Sequence, residues 1–167
     1  MRNKTPITQE LVRHLFRPCV DKKTLVWRDK WGRHKRNAAD AVVGRIAKDG
    51  YLSVSLNNQG VLVHRLVWLY ETGSWPSNQI DHINGDPADN RFENLRDVPA
   101  TTNMQNLRGP ISRNSTGFLG VCANGKYFKA KIVANGKRYY LGSFRSAAEA
   151  HEAYMHAKRK LHDGCTI

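Results

Sequence analysis

Apolar positions along the chain follow two rhythms. Ile7, Leu11, Leu15 and Phe16 recur at roughly helical spacing, with Thr8 placed to cap and Pro18 to stop the run, which predicts a short helix over residues 7–16. Leu52, Val54 and Leu56 alternate with Tyr51, Ser53 and Ser55; Asn57 to Gly60 then turns the chain into Val61-Leu62-Val63, a hairpin signature. The period lengthens again from His64 to Thr72, a helix with Leu66, Val67, Leu69 and Tyr70 partly buried and Gly73 at its end. After an extended stretch from Trp75-Pro76, two short strands are predicted, one ending in Asp81-His82 and one at Asn94-Leu95-Arg96. A polar turn separates them, and a helix begins near Pro99.

The remaining chain reads as three antiparallel strands and a helix. The strands fall at 118–121, 127–133 and 139–144, separated by turns at Asn124-Gly125 and Asn135-Gly136, the strongest short-range hairpin signal. Ser146 is placed to cap the final helix with Glu149 three positions on, and Ala147, Ala150, Tyr154, Ala157 and Leu161 form one apolar stripe. On the central strand Phe128, Ala130 and Ile132 share one face, leaving Tyr127, Lys129 and Lys131 on the other. The polar, turn-rich stretch 106–117 sets a boundary near residue 110, giving domains at 1–110 and 111–167 of an α+β chain.

Composition narrows the partners. A chain of 167 residues holds one ordinary domain or two small ones, and 40% apolar with 25% charged residues is a folded composition. Lys and Arg number 27 against 14 Asp and Glu, a formal charge of +13. The shorter C-terminal part carries +7 of it. Such an excess favours nucleic acid or an anionic membrane surface. Apolar runs such as Leu66 to Tyr70 are far too short to span a bilayer, and no signal-like segment opens the chain, so a cytoplasmic protein without a membrane partner is expected. Cys19, Cys122 and Cys165 are odd in number and far apart, which indicates neither a disulfide framework nor a thiolate zinc site.

Residues 80–103 concentrate the chemistry. Hydrolysing a phosphodiester takes a deprotonated water, a cation to stabilise charge and a proton for the departing oxygen. Imidazole, titrating near about 6.5, can take the water proton. A carboxylate and an amide oxygen suit a hard ion such as Mg²⁺. Asp81 and His82 would point to opposite sides of a regular strand. Asp86, Asp89 and Asn90 superficially resemble a calcium loop, but the glycine and terminal glutamate stand at the wrong offsets. The basic segment 28–36, with Arg33, Lys35 and Arg36, reads either as a solvated loop or as a phosphate contact.

The stretch Asp81-His82-Ile83-Asn84-Gly85-Asp86 with the return Asn94-Leu95-Arg96 resembles the HNH endonuclease family, in its phage and bacterial branch. His64-Arg65-Leu66-Val67-Trp68 and Gly73-Ser74-Trp75-Pro76 lengthen the likeness to roughly residues 50–107. The resemblance implies a beta-beta-alpha-metal site with His82 as general base, Asp81 and Asn103 holding one Mg²⁺ (Mn²⁺ as substitute), and Asn94 orienting the turn. Asn94 reads structurally, through amide bonds to turn backbone. Asn103 stands where many relatives have histidine, which favours oxygen ligation over zinc. Arg65 and Arg96 either clamp phosphates or pair with Asp86, Asp89 or Glu93. His64 either packs against the catalytic hairpin or contacts phosphate.

Residues 111–162 resemble the plant ethylene-response-factor (Apetala-type) DNA-binding domain. Ser115 to Val121, Ala130-Lys131-Ile132, Tyr140 to Phe144 and Glu149 to Tyr154 carry the likeness. It implies a sheet face on duplex DNA, with Lys129, Lys131 and Arg138 facing DNA and Lys126 and Lys137 as generic phosphate contacts. Phe128 replaces the usual tryptophan, and the first strand has fewer arginines than plant members, so plant-like base preference is not implied. The sequence thus reads as a metal-dependent endonuclease on double-stranded DNA, a monomer that nicks, with dimerisation or a second encounter needed to cut both strands. A homing-type role follows only from the phage resemblance. The alternatives are a DNA-binding regulator on a degenerate HNH scaffold and an RNA-directed protein, although no stacking-rich single-strand platform is evident.

Overall fold

Thr8 accepts a hydrogen bond from the Leu11 amide at 3.2 Å, and Gln9–Leu15 winds into α1. The helix stops one residue earlier than the apolar spacing suggests, because Phe16 is drawn into a strand. That strand, β1 (Phe16–Cys19), pairs antiparallel with β2 (Thr24–Trp27), and the Phe16 and Trp27 rings meet edge to face at 4.7 Å. Residues 5–29, 38–110 and 114–166 of the computed structural model are described here. Arg33, Lys35 and Arg36 lie outside them.

A short β3 (Arg45–Ile46) flanks β4 (Leu52–Leu56), which pairs with β5 (Gln59–Leu62). Their connection is tighter than the four residues expected. Leu56 pairs directly with Gln59, and Asn57 and Asn58 both take positive φ, as a two-residue turn with the right twist requires. Helix α2 (Val63–Thr72) follows without a break and is closed by Gly73 in the left-handed conformation. It is fastened to α1, since Gln9 Nε2 and Arg13 Nε both donate to the Tyr70 carbonyl, at 2.9 and 3.0 Å. Val12, Phe16, Leu25, Val43, Val63 and Leu66 are fully or almost fully buried in one shared core.

Strands β6 (Gln79–His82) and β7 (Leu95–Val98) pair antiparallel, with a 3₁₀ turn at Phe92–Asn94 leading into the return. The Asp97 carboxylate accepts the amides of Ser77 and Asn78 at 2.7 and 2.8 Å, which pins the chain entering β6.

Contacts divide the chain into two compact units after Pro99. Helix α3 (Ala100–Gln105) therefore groups with the C-terminal elements, about ten residues ahead of the boundary suggested by composition. Specific bonds account for this. The Gln105 side chain accepts the Gly164 amide at 2.9 Å, and the Leu107 carbonyl accepts the ammonium of Lys158, which is 1% exposed.

In this unit β8 (Val121–Asn124), β9 (Tyr127–Ala134) and β10 (Lys137–Phe144) form an antiparallel sheet in chain order, covered by α4 (Ala147–Leu161). Ser146 caps α4 by accepting the Glu149 amide at 3.2 Å. Ala130, Ile132, Ala150 and Tyr154 make the centre of the core. The first strand starts later than expected, at Val121, and runs to Asn124. Residues 118–120 form a turn beneath Tyr154, where Gly120 has φ +77° and a Cβ would lie 2.0 Å from the tyrosine ring. The first hairpin turn also shifts by one residue, to Gly125-Lys126, because Asn124 pairs with Tyr127 inside the ladder. Asn135-Gly136 forms the expected turn, both residues at positive φ.

Candidate active site

The register of the β6–β7 ribbon assigns each side chain its surroundings. Asp81 is opposite Arg96 and His82 is opposite Leu95. The two side chains leave opposite sides of the strand, and both are buried, at 5% and 3% exposure. Arg96 Nε and Nη2 reach Asp81 Oδ2 at 2.8 and 2.7 Å. Its carboxylate partner is thus Asp81, rather than the Asp86, Asp89 or Glu93 considered from the sequence. A guanidinium with 25% of its side chain exposed, beside a carboxylate with 7%, makes a largely desolvated ion pair.

His82 lies among rings. The His64 imidazole meets it edge on at 5.3 Å between centroids, and Tyr51 approaches both, at 5.4 Å from His64 and 5.7 Å from His82. His82 Nε2 is 3.0 Å from Asn90 Oδ1. The orientation of that amide is set by its other end, since Asn90 Nδ2 faces the Ala88 carbonyl at 3.4 Å, which can only accept, and Thr24 Oγ1 at 3.3 Å. The oxygen therefore faces His82 Nε2, an acceptor placed to receive a proton carried there.

His64 is buried at 5% exposure, and its Nδ1 has no hydrogen-bond partner. Burial first, then the positive charge that His82 and Arg65 would present, pushes its pKa down to about 3. At neutral pH it is an uncharged ring in the wall, packed edge on against His82. Arg65 donates to the carbonyls of Pro76 and Asn78, at 3.4 and 3.3 Å, and so pins the loop before β6 instead of pairing with an acid. Burial raises the Tyr51 phenol above its ordinary value, helped by the charges of Asp49 and Asp81.

The turn between the strands is a closed polar network. Asn94 Oδ1 accepts the Asn84 amide at 3.0 Å, and its Nδ2 donates to Asn84 Oδ1 at 3.0 Å and to the Asp89 carbonyl at 2.7 Å. Asp89 is fully buried and receives Arg91 Nε and Nη2 at 2.8 and 2.7 Å, bonds that hold its carboxyl at about 2. Asp86 caps the amide of Ala88 at 3.0 Å. With these acids committed to the turn itself, nothing of a calcium loop remains.

Among the described residues no group of three or more His, Cys, Asp or Glu side chains is placed to hold a metal ion. The Asp81 carboxylate already receives a positive charge, from Arg96, at hydrogen-bond distance. Asn103 is half-buried on α3, in the other unit.

In the second unit, Lys129, Lys131 and Arg138 occur on one sheet face together with Tyr127 and Tyr140, because Lys131 pairs with Tyr140 and Arg138 with Val133. Lys126 sits in the β8–β9 turn and Lys137 at the start of β10. The opposite face carries the apolar residues covered by α4. Sequence reasoning missed Asn90, which meets His82 Nε2, and Thr24, which meets the Asn90 amide where the turn folds onto β2. Eight residues separate Asn90 from the histidine, with no periodicity to link them.

Residues 61–105 match the model of the HNH endonuclease family. That segment contains α2, the β6–β7 ribbon and α3, and the likeness supports the class of DNA endonucleases. An uncharacterized HNH endonuclease of Acanthamoeba polyphaga mimivirus is 31% identical over 106 residues, with coverage of 52% of this chain and 27% of the relative. The chain thus spans about a quarter of the length of that curated relative. No solved structure was found to match it. None of these likenesses supports an ethylene-response-factor domain in the second unit.

Proposed function

We propose that this chain is a divalent-metal-dependent endonuclease that hydrolyses phosphodiester bonds of duplex DNA and, as a monomer with one site, nicks it. The observation that carries this reading is the succession of a buried carboxylate and a buried imidazole at the end of β6, with the imidazole Nε2 3.0 Å from the Asn90 amide oxygen. A ring whose Nε2–H donates to that oxygen presents its Nδ1 lone pair, the form a base needs to take a proton from water.

His82 would take that proton as the water oxygen attacks phosphorus. The phosphorus–oxygen bond to the leaving group then breaks, and the released oxygen takes up a proton. Asp81 would hold the ion through its carboxylate, a donor suited to Mg²⁺ with Mn²⁺ as substitute. When bound, the ion supplies positive charge against the developing negative charge on the phosphate and the leaving oxygen. Arg96 orients the Asp81 carboxylate, and Asn94 keeps the turn closed.

The basic face of the β8–β10 sheet would hold the duplex, with Lys129, Lys131 and Arg138 nearest the DNA and Lys126 and Lys137 on flanking phosphates. The phage-type resemblance extends the reading to a homing-type nuclease acting in the cytoplasm of a host cell.

The test is supercoiled DNA carrying candidate sites, incubated with Mg²⁺, Mn²⁺ or EDTA. Conversion to the open circle is expected with either ion and not with EDTA, and His82→Ala should slow it by roughly 10²–10⁴-fold. Tight duplex binding by the intact protein with no nicking under either ion would leave a DNA-binding scaffold instead.

A further inference from the structure

Asn90 is 1% exposed and tied down on every side. Its backbone amide donates to the Lys23 carbonyl at 2.7 Å, where Lys23 takes φ +54° at the end of the β1–β2 turn. Its side-chain nitrogen faces Thr24 Oγ1 and the Ala88 carbonyl, leaving one direction for the oxygen, toward His82 Nε2 at 3.0 Å. Thr24 is itself buried, on the first residue of β2.

We infer that Asn90, steered by Thr24, is a positioning residue that fixes the proton of His82 on Nε2 and so makes Nδ1 the basic nitrogen. The two neutral imidazole tautomers are close in energy, and a single hydrogen bond to one nitrogen selects between them. An amide oxygen makes this selection without placing a second negative charge beside Asp81. Of the residues with side-chain bonds to His82 described above, Asn90 is tethered to a different hairpin from the one that carries the histidine. The β1–β2 hairpin, with no catalytic group of its own, therefore has a task in the site. The inference rests on His82 being the base, but the geometry it concerns is present without DNA or metal.

The direct readout is the imidazole ¹⁵N spectrum of histidine-labelled protein in EDTA, at about pH 8.5 where imidazoles are ordinarily neutral. His82 is assigned by the signals lost in His82→Gln. The wild type is expected to show His82 protonated on Nε2, Asn90→Leu to show Nδ1–H or a mixture, and Asn90→Asp, which keeps an oxygen acceptor, to retain Nε2–H. In nicking assays Asn90→Leu should lower kcat by roughly 10–100-fold, the range for partners that orient an active-site group, with little change in KM.

A wild-type proton on Nδ1 overturns the inference, whether or not Asn90→Leu folds, as does a folded Asn90→Leu with an unchanged tautomer. Thr24→Val supplies the milder variant, expected to broaden or mix the His82 signals; sharp, unaltered signals there count against the proposed steering. If His82→Ala still nicks while the tautomer depends on Asn90, the assignment of His82 as base fails and the positioning geometry stands. If His82→Ala is inactive and the tautomer ignores Asn90, the reverse holds.

Discussion

At the scale of single residues, the site shows how burial decides what an imidazole can do. His64 and His82 lie 5.3 Å apart, yet only His82 has its ring nitrogen tied to a fixed amide, while His64 has an orphan Nδ1 and a pKa pushed down to about 3. Because the folded value lies below the ordinary 6.5, the unfolded chain takes up this proton first as pH falls. The stability that His64 contributes as a neutral ring is whole above about 6.5 and lost on the way down to about 3. Urea unfolding should therefore show stability falling between pH 6.5 and 4 by up to about 1.4 kcal/mol per pH unit from this residue. His64→Gln should flatten that slope, and a variant with the wild-type slope would show that His64 is not the group responsible. Asp89, held at about 2 by Arg91, adds its own loss only below about pH 4.

Among the elements, the features readable in sequence were those whose signal is local. The β4–β5 and β9–β10 hairpins carry both alternation and asparagine-rich turns, and α2 and α4 carry an apolar period with a recognisable start or end. The β1–β2 hairpin was not legible. Phe16-Arg17-Pro18-Cys19 contains a proline at an edge, and Thr24 to Trp27 is buried on both sides, so neither strand alternates. For the same reason the site was only half visible. Its motif residues 81, 82 and 94 stand in one stretch, whereas Asn90 gains its role from Thr24, 66 residues away. The pairing of Arg96 with Asp81 required the register, which spacing alone does not supply. The late start of the first strand of the second unit has a steric origin in Gly120. Gly120→Ala should destabilise that unit by about 3 kcal/mol or more, from positive φ together with overlap on Tyr154. Thermal unfolding followed by Tyr154 signals would check this, and a change of under about 1 kcal/mol would mean that the ring moves aside freely.

Over the whole molecule, an excess of basic residues acquires direction only through strand alternation. The +13 charge says that a polyanion is favoured; the register places Lys129, Lys131 and Arg138 on one face of the second sheet. If that face meets duplex DNA, replacing all three by serine should weaken binding and reduce the slope of log affinity against log salt by roughly 2–3. Fluorescence anisotropy over a salt series reads both, and an unaltered slope would direct attention to other basic segments. Lys126→Ser alone should cost less, about one unit of slope at most.

The sealed ammonium of Lys158 links two events that look separate along the chain. Its hold on the Leu107 carbonyl, together with the Gln105 and Gly164 bond, fastens the segment after α3 to the far end of α4. In hydrogen exchange, the amides around Asn103 would then open on the timescale of the last turns of α4 rather than as a frayed six-residue helix. A helix too short to persist alone thereby borrows its lifetime from a longer one.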